Sequence, residues 1–160
     1  MAVCNPAELQ QSMASGTRLI GLDVGKKTIG MAFSDPLFGI ATPFETLRRT
    51  KFRPDMEKLK VIFRDHEIGG IVVGLPINMD GTEGPRCQSM RAFAENLLGK
   101  IDLPLAFWDE RLSTAAVTRT LLDADLSRKR RGEVVDKLAA AYILQGLLDF
   151  LSMSNESNAT

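Results

Sequence analysis

Apolar residues recur along the first third of the chain with the spacing and length of β-strands. Residues 17–24 and 28–34 are almost continuously apolar and are separated by the short turn 25–27. Two such runs joined by a tight turn predict an antiparallel hairpin. Residues 39–47 can form a third strand, and Pro43 favours the edge of a sheet because proline cannot donate a backbone hydrogen bond.

The rest of the chain alternates between helical and strand patterns. Apolar residues at helical spacing alternate with short, continuous apolar runs that suit strands buried on both faces. Helices are predicted at 54–66, 86–100, 114–123 and 134–151, and strands at 69–75 and 103–108. Three antiparallel strands followed by βαβ units predict an α/β fold with a mixed five-stranded sheet and helices on both faces.

Connection rules place the first strand in the middle of this sheet, beside strand 69–75. Ligands of such sheets gather at the carboxyl ends of the central parallel strands. We expect that edge to hold Asp23, the loop 76–83 and the pair Asp109 and Glu110.

The length of 160 residues corresponds to one domain. We expect a flexible lead-in at 1–16 that allows one short helical turn, a folded domain at 17–151 and a disordered polar tail at 152–160. No apolar run approaches the length of a membrane span, and the first residues lack the pattern of a secretory signal. The two cysteines form neither a metal-ligand pattern nor a disulfide framework. A cytoplasmic protein without a membrane partner is predicted.

Asp23 and Glu110 are candidate functional acids because each follows an apolar strand. A carboxylate at the end of a buried strand is costly unless a cation or hydrogen bonds compensate its charge. The alternative for Asp23 is a cap on the turn that follows it. The alternative for Glu110 is a solvated loop acid paired with Arg111.

Asp136 is the third candidate and lies in the first turn of the predicted final helix. A helix N-terminus favours an acid through its dipole, which is the structural alternative. Asp136 is four residues before Ala140, on a face of small residues that would let the helix approach the first strand closely. Three carboxylates without histidine or cysteine suit Mg²⁺ or Mn²⁺ rather than zinc. Two such ions roughly 4 Å apart would activate a water and stabilise the leaving oxygen of a phosphodiester.

Several polar and basic residues near this edge are candidate contacts to a phosphate backbone. The net charge is zero, so nucleic-acid binding would depend on local clusters. Lys26 and Lys27 do not complete a phosphate-binding loop motif, because position 20 is isoleucine and position 27 is not serine or threonine. The candidates are Lys27, Asn78, Thr82, Arg111 and the basic run Arg128, Lys129 and Arg130 in a predicted polar loop. The alternatives are an ordinary strand-to-helix connection for Asn78 and Thr82, and a solvated loop for the basic run.

Four segments of the chain resemble the YqgF/RuvX family of the ribonuclease H-like superfamily. They are GLDVGKKTIG at 21–30, IVVGLPINMDGTE at 71–83, DERLST at 109–114 and VDKLAA at 135–140. The resemblance implies a ribonuclease H-like nuclease domain and a cytoplasmic bacterial enzyme that trims the 5′ end of pre-16S rRNA during ribosome biogenesis. It also implies that the catalytic, metal-binding positions are Asp23, Glu110 and Asp136, with Lys27 matching the family motif.

One departure from related resolvases bears on the substrate. True junction resolvases of the superfamily place an acid at the end of the fourth strand, where this chain has Gly74, Leu75 and Pro76. Because the acid is instead at Glu110, precursor rRNA is favoured over a DNA junction.

Other functions stay open at this point. They are a Holliday junction resolvase-type DNA endonuclease, a non-catalytic RNA- or ribosome-binding factor, and an actin-like ATPase. An actin-like ATPase needs two related domains, and this chain has the length of one. Either a monomer or a homodimer is compatible with the sequence.

Overall fold

The computed structural model describes residues 3–112 and 128–158, with side chains described outside 128–136 and 154–158. The helix predicted at 114–123 lies outside the described residues. The described elements, in chain order, are α1 (Pro6–Ser12), β1 (Arg18–Val24), β2 (Thr28–Ser34), β3 (Ala41–Arg48), α2 (Phe52–Asp65), β4 (Ile68–Leu75), α3 (Pro85–Leu98), β5 (Leu105–Asp109), a 3₁₀ turn (Glu110–Leu112) and α4 (Arg128–Asn158).

The five strands form one sheet in the order β3-β2-β1-β4-β5. β1 pairs antiparallel with β2 and parallel with β4, and β4 pairs parallel with β5. The predicted mixed sheet, the central position of β1 and the edge position of β3 are therefore confirmed. The predicted bounds of these strands and of α2 and α3 differ from the observed bounds by no more than two residues.

Successive side chains of the central strands are buried alternately in two separate apolar cores, one on each face of the sheet. Ile20 and Leu22 of β1 belong to the core shared with α2 and α3. Leu19 of β1 and Val72 of β4 belong to the core on the opposite face, which is shared with α1 and α4. Successive strand residues point to opposite faces, so a strand covered on both sides must be apolar at nearly every position.

Helix α4 packs unusually close to the central strand at Gly21. A Cβ atom at Gly21 would lie 2.9 Å from the carbonyl oxygen of Ala140 and 2.9 Å from Cβ of Leu144. The small residues that were noted in the sequence of this helix therefore bring its backbone against β1.

Three chain segments differ from the sequence-based expectations. Helix α1 begins at Pro6 within the expected flexible lead-in; its Leu9 is fully buried, and the Cys4 amide donates to the Leu105 carbonyl at 2.9 Å. The prediction of a polar loop for the basic run that starts at Arg128 is wrong, because α4 already begins there. Arginine and lysine are good helix formers, so the helix extends beyond its apolar stripe.

The other end of α4 extends as far as Asn158, into the segment expected to be a disordered tail. The division of the chain at residues 16 and 151 stays a prediction. Across the part of the chain that the structure describes, no helix combines the length and the apolar character that crossing a bilayer demands.

Candidate active site at the carboxyl edge of the sheet

Two buried carboxylates lie at the carboxyl edge of the parallel strands. Asp23, next to last in β1, is 4% exposed, and Glu110, directly after β5, is 6% exposed. Because β1, β4 and β5 run parallel, their ends share one edge. The interpretation of Glu110 as a solvated loop acid is therefore wrong.

Strand register places Asp23 beside Gly74 of β4. Leu22 pairs with Val73, so the next residues along each strand, Asp23 and Gly74, stand level on the adjacent strands. Both belong to the face that packs against α4, as Gly21 does two residues before Asp23.

Glu110 reaches over Gly74 from the other side. A Cβ atom on Gly74 would lie 3.0 Å from Oε1 of Glu110 and 2.5 Å from Cδ1 of Ile143 in α4. The missing side chain at Gly74 therefore leaves the space that Glu110 occupies beneath α4. Asp23 and Glu110 therefore lie at the same edge of the sheet, on the strands on either side of β4.

The backbone of Asp136 lies in α4, four residues before Ala140, whose carbonyl oxygen packs over Gly21. The side chain of Asp136 lies outside the described residues, so its approach to Asp23 stays a prediction. The same holds for the side chains of Arg128, Lys129 and Arg130. Among the described side chains, no group of three His, Cys, Asp or Glu residues could hold a metal ion.

Arg111 is fixed by Asp109 at the end of β5. Its Nη2 donates to Oδ2 of Asp109 at 2.7 Å, and its Nη1 donates to the Asn78 carbonyl at 3.3 Å. The bond between the guanidinium and Asp109 lowers the pKa of Asp109 and raises the pKa of Arg111. Arg111 therefore ties the strand that carries Glu110 to the loop after β4.

That loop is held by bonds among its own side chains. The Asn78 amide donates to Oγ1 of Thr82 at 3.0 Å, and the Thr82 hydroxyl donates to Oδ1 of Asp80 at 2.6 Å. The hydroxyl bond lowers the pKa of Asp80. Gly84, two residues after Thr82, occupies the N-cap of α3. Substrate contacts from Asn78 and Thr82 stay a prediction.

The hairpin turn after Asp23 carries exposed cations and is braced by a residue that the sequence analysis missed. Lys26 and Lys27 are exposed, and the Gly25 amide donates to the Thr28 carbonyl at 2.8 Å. Arg49, just after β3, donates from its backbone to Lys27 and from Nη1 to the Gly25 carbonyl at 2.6 Å. The sequence feature that could have identified Arg49 is its position directly after β3. That strand pairs with β2, so its end lies beside this turn.

Comparison with protein-family models adds an independent finding. The model of the RuvX family, described as Holliday junction resolvase, matches residues 17–150. The chain belongs to the RuvX family. The resemblance drawn from the sequence motifs is therefore confirmed, and RuvX membership makes this chain a nuclease, a hydrolase that acts on the phosphodiester bonds of nucleic acid.

Similar bacterial proteins carry a common name. A protein of Paramagnetospirillum magneticum named "Putative pre-16S rRNA nuclease" is 63% identical over 149 residues, covering 93% of this chain and 96% of its own. A protein of Rhodospirillum centenum with the same name is 56% identical over 156 residues, covering 94% of this chain and 83% of its own. The RuvX chain described here therefore spans most of the length of these relatives.

Solved structures share the fold at low sequence identity. RuvC of T. thermophilus in complex with a Holliday junction substrate gives a TM-score of 0.50 at 10% identity, covering 84% of this chain and 96% of that one. The yeast mitochondrial Holliday junction resolvase gives 0.50 at 12% identity, covering 94% and 86%. These similarities confirm the ribonuclease H-like fold class predicted for this RuvX protein.

Proposed function

We propose that this RuvX protein is a nuclease that depends on a divalent metal and processes the 5′ end of pre-16S rRNA. The observation that carries the proposal is the position of Glu110 over Gly74, the residue that stands level with Asp23 on the adjacent strand. Neighbouring strands lie about 4.8 Å apart, so acids on β1 and β5 meet only if they lean over β4. Glu110 does so, with Oε1 3.0 Å from the position of a Cβ on Gly74.

The donor set fits Mg²⁺ or Mn²⁺. Carboxylate oxygens are the ligands that these hard cations prefer, and neither buried acid is accompanied in sequence by a histidine or cysteine that would favour zinc. Asp23 and Glu110 would hold the ion, and Asp136 would complete the set from α4. A bound divalent cation supplies Lewis-acid stabilisation of the charge that develops on the phosphate oxygens.

The surrounding residues would hold and orient the substrate backbone. Lys27 on the hairpin turn and Arg111 on the 3₁₀ turn flank the acids along the chain, and Asn78 and Thr82 shape the loop between them. Basic side chains position a nucleic-acid strand through its phosphates without reading its sequence. We assign the same role to Arg128, Lys129 and Arg130 at the start of α4.

Pre-16S rRNA is favoured as the substrate by the names of the relatives and by the absence of an acid at Gly74. The action of the enzyme would then be cytoplasmic, on precursor rRNA or on ribosomal particles, as a monomer or a homodimer. A DNA endonuclease that resolves four-way junctions is the second candidate, since the family is described as a Holliday junction resolvase.

Cleavage assays with matched substrates test the proposal. Wild-type protein is incubated with precursor 16S rRNA or a four-way DNA junction, in Mg²⁺ or in EDTA, beside Asp23→Asn and Glu110→Gln. Loss of a group that only supports a metal ligand costs about 10–100-fold. We therefore expect losses above about 100-fold for the ligands themselves, and Mn²⁺ binding measured by calorimetry should weaken in parallel.

Glu57→Gln is the matched control, because it makes the same chemical change at an exposed position of α2. It should cleave as the wild type does, and melting curves should show that all variants fold. Full activity of folded Glu110→Gln would remove it from the site. Cleavage of the junction but not of the rRNA would select the second candidate.

A further inference from the structure

A small pocket lies beside the hairpin turn on the opposite face of the sheet from the two acids. Its volume is about 60 Å³, several times the roughly 10–15 Å³ that one water molecule needs, so it can take a phosphate-sized group. Residues from β1, the hairpin turn, the segment after β3 and helix α3 meet there. The hairpin pocket has an apolar floor of Val24 and Met90 and polar walls of Lys26, Arg49, Arg86 and Ser89.

Arg49 is held rigidly in the wall of the hairpin pocket. Its Nη1 donates to the Gly25 carbonyl at 2.6 Å, and its guanidinium carbon lies 5.3 Å from the centroid of the Phe93 ring. Its backbone amide is also bound, to the Lys27 carbonyl at 2.8 Å. A planar guanidinium that is already fixed loses little conformational freedom when it binds an anion.

The hairpin pocket concentrates positive charge. In the described part of the chain, none of Lys26, Arg49 and Arg86 forms an ion pair with a carboxylate. Arg86 also lies in the first turn of α3, which contains no acid. Since a helix N-terminus is itself partly positive, a cation there is unfavourable unless an anion is bound nearby.

We propose that the hairpin pocket binds a phosphate of the substrate strand next to the one that is cleaved. This inference rests on the proposed nuclease function. Asp23 and Val24 are consecutive in β1, so their side chains point to opposite faces of the sheet. A strand laid across the carboxyl edge would place one phosphate at the acids and a neighbouring phosphate at Arg49, Arg86 and Lys26.

Binding of single-stranded RNA in EDTA, followed by fluorescence anisotropy, tests the pocket without cleavage. Arg86→Gln and Lys26→Gln should each weaken binding about tenfold, the usual effect of losing one charged hydrogen bond. Each should also reduce the slope of log affinity against log salt by about 0.7, as expected for one lost phosphate contact to a single strand. Arg49→Lys keeps the positive charge but loses the planar guanidinium with its several N–H donors. This variant should bind RNA more weakly while the protein still folds.

Arg64→Gln is the matched control, because it removes the same charge at the end of α2 near the opposite edge of the sheet. It should leave affinity and salt slope unchanged. If Arg86→Gln and Lys26→Gln bind RNA with the affinity and salt slope of the wild type, the proposed phosphate site is overturned. If the wild type still cleaves RNA in that case, the nuclease function stands. Absence of cleavage with weakened binding in the variants would reject the nuclease function and keep the pocket as an RNA contact.

Inorganic phosphate distinguishes a strand phosphate from a free one. Titrated calorimetrically into wild type and Arg86→Gln, it should bind the wild type weakly and compete with RNA. Tight phosphate binding that is lost in Arg86→Gln, with RNA affinity unchanged, would assign the pocket to a free anion and overturn the proposal.

Discussion

Gly74 of β4 and Glu110 after β5 fit together so closely that no side chain can be placed between them. A Cβ atom at Gly74 would lie 3.0 Å from Oε1 of Glu110, closer than such contacts usually are. It would also lie 2.5 Å from Cδ1 of Ile143, so the acid is enclosed between β4 and α4. The absence of a side chain at Gly74 therefore leaves the space that the carboxylate of Glu110 occupies.

Gly74→Ala should reduce cleavage more than it reduces stability. The added methyl group must displace Ile143, the carboxylate of Glu110, or both, and inserting a methyl into a packed core costs about 1–3 kcal/mol. We expect the free energy of unfolding to fall by that amount in urea titrations, while cleavage falls at least about tenfold in the still-folded protein.

Gly70→Ala provides the control on the same strand. Its Cβ would lie 2.8 Å from Sδ of Met13 and 2.9 Å from Cδ2 of Leu19, which are ends of flexible side chains far from the acids. A similar loss of stability without loss of cleavage is expected. Equal activity in Gly74→Ala and Gly70→Ala would contradict the role given to Gly74.

Gly21→Ala should separate α4 from the central strand. The new Cβ would meet the backbone carbonyl of Ala140 at 2.9 Å, and a backbone atom in a packed helix cannot move aside alone. We expect destabilisation of about 3 kcal/mol, the upper end for an inserted methyl group. Because α4 also carries Asp136, cleavage by the folded fraction should fall as well.

Gly99→Ala is a suitable comparison for Gly21→Ala. Gly99 follows α3 with φ of −68°, which any residue adopts, and its Cβ would meet the Asn96 carbonyl at 3.4 Å. Thermal unfolding should show stability unchanged or raised by up to about 1 kcal/mol. A loss in Gly99→Ala as large as that in Gly21→Ala would mean that the close approach of α4 is not the cause.

Asp109→Asn should reveal a pH-dependent contribution to stability. Arg111 lowers the pKa of Asp109 in the folded protein, so the charged pair stabilises the fold above the ordinary aspartate pKa of about 3.9. That contribution is lost as the pH falls through the lowered pKa and Asp109 takes up a proton. The wild type should therefore exceed Asp109→Asn in free energy of unfolding by a constant amount between about pH 7 and pH 5.

Below about pH 4 the difference between wild type and Asp109→Asn should shrink. Urea unfolding across this pH range measures it, with Glu57→Gln as a surface control. A difference that grows on acidification would mean that Arg111 does not stabilise the charged form of Asp109.

The sequence could predict the order of the strands because their periodicity is local. The runs at β1 and β2 and the turn between them predict a hairpin, and connection rules then place β1 beside β4. The acid at the end of β1 could be recognised in the same way, because a carboxylate that ends a buried run is unusual. Glu110 was recognised for the same reason, although its burial was not predicted.

The local sequence pattern could not predict where α4 begins. It also could not predict what the glycines that contact α4 do. The basic run from Arg128 has no apolar spacing, so only the backbone shows that it is helical. In the sequence, Gly21 and Gly74 are indistinguishable from ordinary strand residues. Only the structure shows that Gly21 lies against α4 and that Gly74 lies against Glu110. Arg49 has no motif at all.

The amino-acid sequence by itself therefore determined the sheet and the edge at which Asp23 and Glu110 lie. Tertiary structure decided how Glu110 leans over Gly74, how α4 lies against Gly21 and how Arg49 meets the hairpin turn. The physical reason is distance along the chain. Strand and helix patterns act within a few residues, whereas these contacts join residues tens of positions apart and depend on packing in three dimensions.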